Sequence, residues 1–167
     1  VGDAISCTFV NTPITYSVSV AAGPGGTASC APAVVNSGQV SVCTAVPLPN
    51  YSVASWGGDC AIAGASSTCT LSGVTSNKAS TVSFVRNQVA VSISKTVTGA
   101  PAATGAPGSY GFTLVCDTGS YSGAITVAGT GTSGSTAVQV PQGATWSALQ
   151  ETSKAAEPAN YRWGTET

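Results

Sequence analysis

The chain has 167 residues, with 5 basic against 6 acidic side chains, no histidine and a net charge of −1. That length holds one medium domain or two small ones, and the charge leaves neither a basic footprint for nucleic acid nor an acidic tail. Without histidine there is no Ser-His or Cys-His pair, so no enzyme of those types and no metal or other cofactor is expected.

Hydroxyl residues and glycines supply the polar surface that charges supply elsewhere. The apolar runs fall far short of a membrane span, and no signal peptide stands at Val1, which reads as a processed or cut end. Six cysteines, none in a CxxC pair, read as three disulfides formed in an oxidising place outside the cytoplasm. Each would stabilise by roughly 2–4 kcal/mol.

In chain order, "ISCTFVNTP" (5–13) comes first and reads like the last strand of a domain, since Ile5, Cys7, Phe9 and Asn11 share one phase. "ITYSVSV" (14–20) alternates with a period of two, and "GPGG" (23–26) turns the chain. Strands are predicted near 27–31, 39–46, 51–56, 67–72 and 79–85, and a boundary falls at "RNQ" (86–88). The second half opens with the alternating "VAVSISKTVTG" (89–99), then a loop, "APAATGAPGS" (100–109). Strands follow at about 110–117, 122–128, 135–140, 144–151 and 160–166, and no helix is expected. Short strands at regular spacing indicate an all-β chain of two small β domains, β-sandwich and Ig- or prealbumin-like, in tandem. The predicted division is 13–87 and 88–167, with residues 1–12 left over as a donor or permuted strand.

The stretch 25–85, with its cues "YSVASWGGDC" and "CTLSGVTSNKASTVSF", resembles the divergent, cysteine-containing relatives of the internalin B-repeat. That resemblance implies a spacer or stalk module bridged Cys30–Cys43 and Cys60–Cys69. The spacing agrees, because each pair closes a short loop between neighbouring strands. Trp56 is read as a core or hairpin-packing residue rather than a ligand platform. Asp59 is a lone carboxylate, a poor site for a hard cation. Asn50-Tyr51-Ser52 matches the glycosylation sequon.

In the second domain Lys95 is in phase with Val89, Val91, Ile93 and Val97, and Glu151 with Leu149. Alternation puts both on the apolar face, where a charge needs a partner, unless an edge or bulge returns each to water. "SISKTVTG" and "ALQET" resemble the first strand and a late strand of the Cna-B type, the prealbumin-like sandwich of bacterial surface proteins and pilins. The resemblance implies that Lys95 is a reactive lysine and Glu151 the catalytic acid of an isopeptide bond. The family's third member is an asparagine in a last strand, which 88–167 lacks; "ISCTFVNTP" supplies Asn11. The same stretch brings Cys7 as partner for Cys116, whose phase with Phe112 and Leu114 points its sulfur inward. Trp146 stands where relatives often place a cysteine, and the order Asn, Lys, Glu is a permutation of the family's.

Burial among aliphatics disfavours the charged lysine, so the neutral amine becomes a nucleophile, while a protonated Glu151 polarises the Asn11 carboxamide. Ammonia leaves and a crosslink forms once, which is maturation rather than turnover. An unreacted Lys95–Glu151 ion pair is the alternative. The strand's owner is open among fold-back within the chain, a neighbouring subunit and an adjacent repeat cut in another register. The join of "YRWGTET" to "VGDAISCTFVNTP" reads as a hairpin into a last strand, which favours the latter two.

The expected function is structural: a repeat or subunit of an extracellular or cell-surface bacterial fibre, stalk or sheath. Its partners would be copies of itself, head-to-tail, with no nucleic acid and no membrane span. An adhesin domain recognising a host protein or glycan is the alternative.

Overall fold

The computed structural model describes residues 2, 4, 6–100 and 105–157, and the strand expected at 160–166 lies outside them. Two compact units divide the chain, Val1–Arg86 and Asn87–Thr167. Both are built of strands, and the one helical element among the described residues is a 3-10 turn at Ala61–Ala63.

The first unit has two sheets. One carries β1 (Thr15–Ala22), β3 (Val34–Asn36), β5 (Tyr51–Gly58) and β7 (Lys78–Arg86) in the order β3-β1-β7-β5. The other carries β2 (Gly26–Ala31), β4 (Ser41–Pro47) and β6 (Thr68–Leu71) in the order β2-β4-β6. All pairs are antiparallel except β1 with β7, whose parallel pairing needs the long connection that the intervening strands provide.

Alternation places one phase of each strand inward, and Val18, Val35, Val53, Trp56 and Val82 of the first sheet meet Cys43, Ala45, Cys69 and Leu71 of the second. Trp56 is a core residue, 4% exposed, and its indole N–H donates to the Ser66 carbonyl at 2.8 Å. Cys30 and Cys43 stand directly opposite each other on β2 and β4 and are bonded, with their Cα atoms 3.9 Å apart. The Cys60–Cys69 bridge ties the end of β5 in one sheet to β6 in the other. It is therefore a clasp across the core.

Among its described residues the second unit also has two sheets. They comprise β8 (Gln88–Thr96) with β11 (Ser133–Pro141), and β9 (Gly108–Cys116) flanked by β10 (Gly119–Val127) and β12 (Trp146–Ser153). All pairs are antiparallel. Every second residue of β9, Tyr110, Phe112, Leu114 and Cys116, is buried, and the last three pack with Ile93, Ile125 and Val140. Gly123 sits opposite Phe112 because a Cβ there would press on the ring.

Within the single chain residues 6–13, expected as part of a donor or permuted strand, carry no strand, although their alternation is regular. A strand exists only with a hydrogen-bonded neighbour, and for this stretch no backbone pairing is found among the described residues. In the other direction β3 was not foreseen, since three residues after Pro32 offer too short a pattern.

Candidate functional site

The two sheets of the second unit meet differently on their two sides. β10 and β11 run close together and close one side, whereas no comparable approach joins β8 to β12 among the described residues. The result is a seam between the edges of β8 and β12, neither of which has a neighbour on that side among the described residues. Two cavities of about 270 and 240 Å³ lie in series along it and share Ile93, Ser94 and Leu149. The first is apolar and bordered by Val91, Leu114, Cys116 and Trp146. The second holds Lys95, Glu151, Tyr110 and Phe112.

Lys95 and Glu151 reach this place from different strands by the phase of each. On β8, Val91, Ile93 and Lys95 turn inward; on β12, Glu151 stands opposite the buried Phe112. The lysine Nζ lies 3.0 Å from both carboxylate oxygens, but only Oε2 is aligned to accept a hydrogen bond. Oε1 is buried with no hydrogen-bond partner.

The side chains remain 28% and 14% exposed, so Lys95 is less buried than its phase predicts. The open seam is the reason, because nothing described covers the pair.

Beneath the amine lies Tyr110, its ring centroid 5.4 Å from Nζ, in reach of a cation–π attraction. Its hydroxyl donates to the Ala106 carbonyl at 3.0 Å. Burial pushes the Tyr110 phenol above its usual range, and the Glu151 charge adds to the effect. Tyr110 shares the phase of Phe112 and Leu114, a signal in the sequence that marks it as inward-facing but not as a neighbour of Lys95.

Residues 16–88 match the divergent InlB B-repeat domain. Residues 91–167 match the family model of a domain of unknown function, DUF5979. No curated protein and no solved structure matches the chain. A surface-type repeat domain and two disulfides fit an extracellular structural or adhesin-like role. No helix of the described residues is long and apolar enough to cross a membrane.

The remaining predicted residues fall as follows. Cys30–Cys43 and Cys60–Cys69 are bonded. The third bridge, expected between Cys7 and Cys116, is not formed in this structure: Cys7 is an exposed free thiol and Cys116 a buried one. Cys7 lies in the stretch that has no strand pairing, and Asn11 is exposed in the same stretch.

Trp146 pairs across the ladder with Cys116 and is 70% exposed. Asp59 is paired with Lys78 at 2.9 Å and accepts the Ala79 amide at 2.9 Å. Asn50 has a φ of 66° in the turn before β5, a conformation asparagine tolerates well, which gives it a structural reason to be there.

Proposed function

We propose that this chain is a structural repeat or subunit of an extracellular bacterial fibre, stalk or sheath, assembled head-to-tail by strand complementation. The observation that carries the proposal is the seam. Among the described residues it holds two unpaired strand edges, an apolar lining and an ion pair, while an alternating apolar stretch of the same sequence, 6–13, stands exposed and outside any ladder. Phe9 is 94% exposed and Val10 84%, and the large apolar side chains exposed in the second unit are Val89, Trp146 and Leu149. Seating the stretch in the seam of a neighbouring unit pairs both sets and closes an edge. A donor on one surface and an acceptor on another give a heterologous contact, which extends into filaments when the rotation does not close.

The resemblance of "SISKTVTG" and "ALQET" to Cna-B strands supports a covalent step in the same place. A strand that covers the seam removes water from the Lys95–Glu151 pair. Desolvation disfavours the separated charges, so the proton passes from Lys95 to Glu151. The neutral amine then attacks the Asn11 carboxamide carbon. A C–N bond forms to Lys95, the bond to the asparagine nitrogen breaks, and Glu151 relays the proton with which ammonia departs. It occurs once per site, so the protein is a self-crosslinking structural element and not an enzyme with turnover.

Mass analysis of the denatured, reduced protein tests the covalent step. A loss of about 17 Da per bond, with multimers that survive denaturation, is expected. Monomers of unchanged mass with an unmodified Lys95 would remove the crosslink from the proposal.

A further inference from the structure

We infer that the seam takes residues 6–12 of a second copy in a single register, parallel to β8, with Cys7 joined to Cys116 as an intermolecular disulfide latch. The inference rests on the complementation proposed above and specifies its partner, direction and fastening.

The seam has unlike ends. Cys116 lies at one end among Val91, Leu114 and Val140, and the Lys95–Glu151 pair lies at the other beside Phe112. Cys116 and Phe112 are four residues apart on β9, and Glu151 stands opposite Phe112. Cys7 and Asn11 are also four residues apart and share a phase. In an extended strand both separations are about 13 Å. When Cys7 meets Cys116, Asn11 therefore reaches the ion pair, where its amide N–H can donate to the partnerless Glu151 Oε1.

The reverse direction fails on chemistry. It would set the Asn11 carboxamide against the apolar end without a partner and leave the Cys7 thiol against the ion pair. β8 itself runs from Val91 at the cysteine end to Lys95 at the charged end, so the incoming strand is parallel to it.

Phe9 then falls midway, where the two cavities meet at Ile93 and Leu149. A slip of one residue would turn Thr8, Val10 and Thr12 inward and expose Phe9 again. A slip of two would part the sulfurs. The disulfide thus selects the register that presents Asn11 to Lys95. Residues 158–167 contain no cysteine and cannot make this latch.

The oxidation balances with a low-molecular-weight disulfide. The exposed Cys7 thiolate attacks it and releases one thiol, and Cys116 then displaces the second thiol as the protein disulfide forms. Two protein thiols are oxidised and one small disulfide is reduced.

Two full-length variants, Cys7→Ser and Cys116→Ala, mixed with oxidised glutathione test the latch. Each keeps one of the two sulfurs, so the expected product is a reducible dimer that grows no further. Its linked peptides contain Cys7 of one variant and Cys116 of the other, while the parent chain forms a ladder. Thermal melting establishes that both variants are folded. Phe9→Ala on the donor chain should lower the dimer yield about tenfold or more at limiting concentration.

A mixture that stays monomeric, or gives only Cys7–Cys7 dimers, overturns the latch, as does an intrachain Cys7–Cys116 bond in the parent. The two proposals separate under reducing conditions. If filaments or Lys95–Asn11 multimers form while Cys7 and Cys116 never pair under oxidation, complementation stands and the latch falls. If neither forms, both fall.

Discussion

The Cys60–Cys69 bridge should contribute a large share of the stability of the first domain, and its removal gives a calculable effect. Cys60 is fully buried and Cys69 4% exposed, and the two are separated by 9 residues. Loop closure over about ten residues removes unfolded-state entropy worth about 2.7 kcal/mol at 25 °C. A domain of this size loses roughly 4–8 °C of Tm per kcal/mol, so Cys60→Ala with Cys69→Ala should lower its transition by about 11–22 °C. Cys30 and Cys43, separated by 13 residues, should give a similar loss, about 3 kcal/mol. Differential scanning calorimetry of the full chain is the assay. The second-domain transition should stay in place, because both bridges lie in the first. A shift below about 4 °C for the clasp, with the bond verified in the parent protein, would refute the reasoning that chain closure across the two sheets holds this domain together.

Three further outcomes are expected. Gly58 has a φ of 65°, and a Cβ there would run into the Ala79 carbonyl oxygen, so Gly58→Ala should destabilise the first domain by about 2 kcal/mol in urea unfolding. The Ala79 amide, then the Lys78 ammonium, hold the Asp59 carboxyl below its ordinary value of 3.8. Its contribution is therefore present above pH 3.8 and lost as the pH falls through the lowered folded value. Asp59→Asn should flatten that acid limb in a pH series of melting temperatures. A double-mutant cycle of Lys95→Met and Glu151→Gln should return a coupling of about 1 kcal/mol, and Glu151→Gln alone should prevent the mass loss.

Local pattern made most of the strands readable. The alternation of "ITYSVSV" and "VAVSISK" follows from one buried face, and β1 and β8 form where it runs. The two bridges were readable too, through a resemblance that short loops between neighbouring strands agreed with. What pattern could not carry is non-local. Nothing in β1 or β7 announces that they pair in parallel, and nothing in β8 or β12 announces that their edges stay open.

The candidate site shows the same division. Phase alone set Lys95 and Glu151 on inward faces, and their meeting at 3.0 Å depends on how two sheets pack. The same phase argument made a strand of residues 5–13, yet alternation states only which face would be buried. Without a partner edge the stretch has no ladder to join.

Electron microscopy of the concentrated full chain, under oxidising conditions, addresses the central claim most directly. Head-to-tail complementation predicts rods or filaments with a regular axial repeat, abolished when residues 5–12 are deleted. Single particles of monomer size at every concentration would contradict it.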